Sequence, residues 1–227
     1  LKFYRGENMS RGVQLFGGLS DEKINDILSS ITSRRYKKNH ILIFEEDPID
    51  RVYIVKSGIL KVYRTYEDKE IILDFVKKND VIGEVELFSK SSALSSVEVT
   101  EDAEIYHLSQ ADFIALIYEN KTILENIFRI HHKRFETLNK QIRNLTFYSV
   151  HTRVCRVLLD FLEDNEDPTN LTIKNINQST IASMIGVTRE SVSKAFKDLQ
   201  DESVLSLQPK TILILNLDKL RDYANVD

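Results

Sequence analysis

Cysteine is all but missing from this chain: Cys155 stands alone among 227 residues. One thiol cannot close an intrachain disulfide, complete a four-thiolate zinc site or hold an all-cysteine iron–sulfur cluster, because each needs several sulfur ligands. A reducing cytoplasm is the compartment this implies. Long apolar runs are missing too: none approaches the roughly 18 residues of a membrane span, and no secretory signal is recognisable. Among only seven glycines there is no phosphate-cradling loop. No nucleophile–base constellation and no metal-spaced His/Asp set is visible either, which argues against an enzyme. Positive charge is not in excess. A formal net charge of -4 speaks against nonspecific coating of nucleic acid, which needs clustered Lys and Arg, but leaves room for a sequence-specific reader whose cations are placed locally.

What is present divides in two. The length suits two modest domains, each able to bury a core. LSDEKINDILSS reads as a helix with Ser20 as its N-cap. From about Ser30 to Leu108 short β-branched and aromatic runs (HILIF, RVYIV, ILKVYRTY, EIILDFV) alternate with turn residues, which predicts an all-β sandwich or barrel-like domain. From Gln110 to Phe147 the period becomes helical. Ile117, Leu124, His131, Leu138 and Leu145 fall seven apart, with Ile127, Phe128, Phe135 and Ile142 widening the stripe. One helix of that length would run about 50 Å, longer than a small domain needs, and so suggests a dimer seam. The alternative is a helix packed on its own domain. After it come a further helix, HTRVCRVLLDFLEDN, an acidic loop, a short strand, two helices joined at Gly186 and a hairpin turning near Gln208-Pro209-Lys210. That order is a winged helix–turn–helix.

The run GVTRESVSKAFKDL concentrates the chemistry. Asn177 can cap a helix from Gln178 to Ile185, Gly186 supplies a turn, and Thr188 caps the next helix. Val192, Ala195, Phe196 and Leu199 form the buried side of that helix. Arg189, Glu190, Ser193 and Lys194 are left near its exposed N-terminal face, the part of a recognition helix that reaches base edges. Arginine can bond guanine O6 and N7, glutamate can accept from cytosine N4, and lysine can donate to guanine or a phosphate. Ser179 and Thr188 are suited to phosphate contacts that fix register. Glu190 and Lys194, four apart, equally have the spacing of an exposed helix ion pair.

QSTIASMIGVTRESVSKAFKDLQDESVL closely resembles the DNA-binding motif of the CRP/FNR family of bacterial transcription regulators. RVYIVKSGILKVYRTYEDKEIILDFVKKNDVIGEVELF looks like that family's sensor, including the Ile54, Val55 and Gly58 strand-and-turn pattern. The resemblance implies an α+β chain with three parts: a cyclic-nucleotide-binding-like β-roll sensor over 15–109, a long dimerisation helix over 110–147 and a winged helix–turn–helix DNA-binding domain over 148–227. It further implies a homodimer with each recognition helix in a major groove of double-stranded DNA at a palindromic operator. Arg189, Glu190 and Lys194 match the base-reading positions of the cyclic-AMP-responsive branch, with lysine where that branch has arginine, and Ser193 is similar to the oxygen-sensing branch. The implied half-site is related to TGTGA or TTGA. The acidic loop from Glu163 to Asp167 matches a region that touches RNA polymerase in relatives.

In the sensor the resemblance breaks down. The candidate effector pocket is Gly83, Glu84, Leu94, Ser95, Leu138 and Asn139. Leu94 stands where the family's arginine neutralises the cyclic phosphate, and a leucine cannot do that. Leu138 and Asn139 replace the adenine-contacting Thr-Ser pair. Cyclic-AMP control is therefore not expected, and the effector is an unknown small molecule or none. Gly83-Glu84 is better explained as a strand-to-helix turn that leaves a carboxylate near a helix N-terminus. The family's N-terminal cluster cysteines are missing. His107, His131 and His132 are weak haem-ligand candidates, His131 being better read as a packed or hydrogen-bonded interface residue, and Cys155 as a small buried hydrophobe. A sensor that acts on a protein partner without binding DNA is the competing function.

Overall fold

The computed structural model describes residues 13–225 apart from positions 68, 164, 166 and 168. The chain forms two compact units. Of the described residues, one holds 13–65 and 72–136; the other holds Tyr66–Ile71 and 137–225.

In the first unit a 3₁₀ turn at Gln14–Phe16 leads to helix α1 (Asp21–Ser30), whose N-cap Ser20 accepts from the Lys23 amide as the sequence predicts. Six strands follow: β1 (Thr32–Tyr36), β2 (Ile41–Ile43), β3 (Arg51–Tyr66), β4 (Lys69–Val76), β5 (Val81–Ile82) and β6 (Ser96–Ser109). Their order is β1-β6-β3-β4, with β2 also on β6 and β5 on β3. The long strand β6 is therefore the spine of the sheet, antiparallel to β1, β2 and β3. Two cores result. Val55, Leu60, Val97, Val99 and Ile105 fill one; Leu15, Phe16, Val52, Ile54, Leu108 and Phe113 fill the other, where the helices pack. Helix α2 (Glu84–Ser89) interrupts the strands after β5.

The expected single helix from 110 to 147 is two helices, α3 (Gln110–Glu119) and α4 (Lys121–Phe147). Asn120 breaks them apart at φ -139°, ψ 90°, with its side chain donating to the Leu116 carbonyl and its own carbonyl accepting from the Ile123 amide. It thus ends one helix and begins the next. The long helix is α4, with 27 residues, or about 40 Å rather than 50 Å.

The second unit contains the end of α4, then α5 (Val150–Glu163), β7 (Thr172–Lys174), α6 (Gln178–Ile185), α7 (Arg189–Asp201), β8 (Leu205–Gln208), β9 (Thr211–Ile214) and α8 (Leu217–Tyr223). The three strands form a small antiparallel sheet in the order β7-β9-β8. Its core is built from the apolar stripes of α5, α6 and α7 with Val204, Leu205, Ile212 and Ile214 of the wing.

Candidate functional site

The helix–turn–helix is assembled by local chemistry. Asn177 Oδ1 accepts from the Thr180 amide at 2.8 Å and starts α6. Gly186 ends it at φ 64°, ψ 43°, and the Val187 amide reaches back to the Ala182 carbonyl at 3.0 Å. That closure requires a left-handed residue, which glycine adopts without steric cost. Arg153 of α5 donates to the Ile185 carbonyl at 2.8 Å, so the turn is also held from the preceding helix. Thr188 Oγ1 then accepts from the Ser191 amide at 3.3 Å and starts α7. Val192, Ala195, Phe196 and Leu199 are buried, and Arg189, Glu190, Ser193 and Lys194 are exposed. Among the described residues, no ion pair joins Glu190 to Lys194, so both side chains are available at the surface.

Two further lysines are exposed, one on α7 and one in the wing. Lys197 is exposed one turn beyond Ser193 and Lys194. Its i+3 and i+4 spacing carries that information in the sequence, though only the first two turns were singled out there. The β8–β9 hairpin turns through Pro209 and Lys210, the latter at φ 56°. Ser179 is exposed in the first turn of α6. Of the acidic loop, positions 164 and 166 lie outside the described residues; Asp167 accepts from the Thr169 amide and hydroxyl.

The first unit holds a second polar cluster. Gly83, at φ 87°, turns the chain from β5 into α2; a Cβ there would lie 2.9 Å from the Arg51 carbonyl oxygen. This sets Glu84 as the first residue of α2, with only 1% of its surface exposed. Glu84 Oε1 accepts from Arg134 Nη1 at 2.6 Å and lies 2.9 Å from His131 Nε2. Arg134 also donates to the Val81 carbonyl. Burial opposes ionisation, but the adjacent guanidinium and the His131 hydrogen bond hold the Glu84 carboxyl below its usual range. An ionised carboxylate only accepts, so His131 carries a proton on Nε2. His131 is thus hydrogen-bonded as expected, but to a carboxylate of its own chain.

The other singled-out groups have ordinary surroundings. His107 Nε2 is 2.9 Å from the Tyr36 hydroxyl, and burial brings the imidazole down to about 4, so it is neutral at physiological pH. His132 is exposed, 3.8 Å from Glu136. Among the described residues no group of three or more His, Cys, Asp or Glu side chains is placed to hold a metal ion. Cys155 is buried, and burial pushes its thiol up to about 12. No helix of the described residues is long and apolar enough to cross a membrane.

Residues 33–120 match the cyclic nucleotide-binding domain model, and residues 152–223 match the Crp-like helix-turn-helix domain model. The chain belongs to the CRP/FNR family of DNA-binding transcription regulators. It is 28% identical over 200 residues to the cAMP-activated global transcriptional regulator CRP of Salmonella typhimurium, covering 86% of this chain and 95% of that one. To the cyclic AMP receptor protein of Thermus thermophilus it is 26% identical over 215 residues, covering 94% and 98%. Among solved structures, a CooA variant from Carboxydothermus hydrogenoformans superposes with a TM-score of 0.78 at 24% identity, covering 95% and 96% of the two chains, which bears on the fold. The CRP/FNR architecture of β-roll sensor, long helix and winged helix–turn–helix is that of this chain, and members of the family are regulators rather than enzymes.

Within this CRP/FNR chain the six pocket candidates lie on different elements. Gly83 and Glu84 sit at the β5–α2 turn, while Leu94, exposed, and Ser95, half-buried, lie between α2 and β6. Leu138 and Asn139 are exposed on α4 beyond Thr137, in the part of the helix that belongs to the second unit.

Proposed function

We propose that the protein is a cytoplasmic homodimer that reads an inverted-repeat operator through Arg189, Glu190, Ser193 and Lys194, with Ser179 and Thr188 on the phosphates, and that it does so without cyclic AMP. The observation that carries this reading is the first two turns of α7. Four hydrogen-bonding side chains are exposed on a helix whose opposite side is locked into a core, and none is spent in an ion pair among the described residues. Such a face can follow a major groove and pair with base edges. Two-fold symmetry then asks for half-sites about one helical turn apart, roughly 34 Å.

Dimerisation is supported by α4. Phe128, Phe135 and Ile142 repeat every seven residues, as do His131, Leu138 and Leu145, and all the apolar members are exposed in the single chain. A stripe of large apolar side chains on a 40 Å helix is the seam of a two-stranded coil. Independence from cyclic AMP is supported by Leu94, which offers no charge to a phosphodiester. The relatives named cAMP-activated therefore lend this chain their architecture rather than their effector. The effector is an unknown small molecule or none, and the acidic loop at 163–167 is the proposed contact for RNA polymerase.

The test is equilibrium binding of the purified protein, free of ligand, to palindromic duplexes selected from a random pool, at two salt concentrations. Selective binding in the nanomolar range supports the reading. Weak, nonselective and steeply salt-dependent binding, with or without cyclic AMP, overturns it in favour of a sensor that acts through a protein partner.

A further inference from the structure

Arg153 stands where its charge is poorly placed for its own helix. It is the fourth residue of α5, which begins at Val150 with the Ser149 hydroxyl accepting from the Thr152 amide at 3.2 Å. The first turn of a helix carries partial positive charge and favours anions. Among the described residues the guanidinium pairs with no carboxylate, its Nε is buried without a hydrogen-bond partner, and burial opposes its charge. A cation in that position needs a compensating group.

The compensation is the far end of α6. Arg153 Nη1 donates to the Ile185 carbonyl at 2.8 Å, and Ile185 is the last residue of that helix. The last four carbonyls of a helix find no donor within it and carry partial negative charge. Ala182 is satisfied by the Val187 amide, and Ile185 by Arg153. The turn is also touched by Leu145 of α4, whose Cδ2 lies 3.4 Å from where a Cβ on Gly186 would be. Such an apolar contact has no preferred direction. A hydrogen bond does, because it weakens steeply as it bends. Thr188, three residues beyond Ile185, caps α7, and Arg189 and Glu190 follow at once.

We propose that Arg153 is a positioning residue for DNA reading: by anchoring the Ile185 carbonyl it fixes the angle at which α7 presents Arg189, Glu190, Ser193 and Lys194, without touching DNA itself. The proposal rests on the DNA-binding reading above and adds a residue outside the recognition helix on which selectivity depends. Ile181 and Ile185 of α6 share one core with Val192 and Phe196 of α7, so the helix pair stays assembled without Arg153. What it loses is a fixed seat on α5.

Arg153→Met tests this in the full chain, since methionine keeps the aliphatic body and removes both donor and charge. Affinity for the operator selected by wild type is expected to fall by about 10- to 100-fold, and discrimination against a duplex with one base pair changed per half-site to shrink by a similar factor. Nonspecific binding and the salt slope stay at their wild-type values. The melting temperature moves by no more than about 5 °C, because a buried cation is lost together with its hydrogen bond. Arg153→Lys can still donate to the Ile185 carbonyl and is expected to recover most of both losses. Arg153→Gln, neutral and too short to reach that carbonyl, carries the test if Arg153→Met does not fold. Unchanged discrimination in Arg153→Met overturns the proposal, and so does a lowered melting temperature with affinity and discrimination intact, the mark of a purely structural bond. A salt slope reduced by about one per half-site, with discrimination kept, overturns it in favour of a direct phosphate contact. No recovery in Arg153→Lys overturns the role of the Ile185 bond. The two readings fail differently: wild type that selects no operator removes the DNA-binding reading and the positioning role together, whereas selective wild type matched by Arg153→Met removes the positioning role alone.

Discussion

Replacing Arg189 by alanine separates recognition from folding. Arg189 is the first residue of α7, is exposed, and makes no ion pair among the described residues. Its loss removes no contact from the core of the second unit, and unfolding free energy should stay within about 0.5 kcal/mol of wild type. Bound to DNA, a bidentate arginine–guanine pair contributes roughly 1–3 kcal/mol of discrimination. A symmetric dimer uses it twice, so the variant should lose about 2–6 kcal/mol, or roughly 30-fold to 10⁴-fold in Kd. Fluorescence anisotropy against the selected duplex, and against duplexes with one base pair changed per half-site, reads both consequences. The variant should bind more weakly and become indifferent to one base pair in each half-site, with little change in salt slope. Lys197→Ala gives the contrasting signature expected of a phosphate contact: uniform weakening across sequences and a shallower salt slope. If Arg189→Ala melts like wild type and keeps both affinity and discrimination, the α7 face does not read bases through this residue.

Ile142→Glu places two like charges in the α4 stripe of a dimer, and sedimentation should show a folded monomer where wild type is dimeric, with dimer Kd raised at least ~100-fold; a dimer of unchanged strength removes α4 as the seam. Asp74 tests pH dependence. Burial raises its carboxyl from 3.8 to about 7 against the pull of Arg134, so between those values the folded state holds a proton that the unfolded chain releases. Stability therefore falls as pH rises from about 4 to 7, by roughly 1–4 kcal/mol in all. Asp74→Asn should flatten that fall in denaturant titrations and be the more stable protein above pH 7, whereas a profile that keeps its wild-type slope refutes the assignment. Cys155 should resist a thiol reagent at pH 8 in the native protein and react fully in urea, since burial keeps the thiolate scarce.

The helix–turn–helix was legible because its signals are local. Asn177, Gly186 and Thr188 each act within four residues of themselves, so residue type and spacing suffice to place both helices and the turn. Periodicity misled at Asn120 for an equally physical reason. Ile117 and Leu124 continue a seven-residue spacing straight across the break, since α3 and α4 each bury an apolar face in the same core. The hydrophobic pattern records which side is buried, not whether the backbone is continuous. The readable clue was Asn120 itself, a short amide side chain suited to ending one helix and starting another.

The Glu84 cluster was not legible, and the reason bears on how the sensor is understood. Sequence places Gly83-Glu84 at a strand-to-helix turn and puts His131 and Arg134 on a helix, but nothing local says that these groups meet across about fifty residues. By resemblance, Gly83 and Glu84 belong to the candidate effector pocket. In the structure the carboxylate is hydrogen-bonded by Arg134 and His131 of its own chain, and those partners supply a sufficient reason for a buried glutamate here whether or not a ligand binds. Leu94 is a separate departure, because it lies between α2 and β6 and offers no charge to a phosphodiester. The proposed independence from cyclic AMP rests on that residue, whereas the partners of Glu84 explain only why a carboxylate can be buried at this turn.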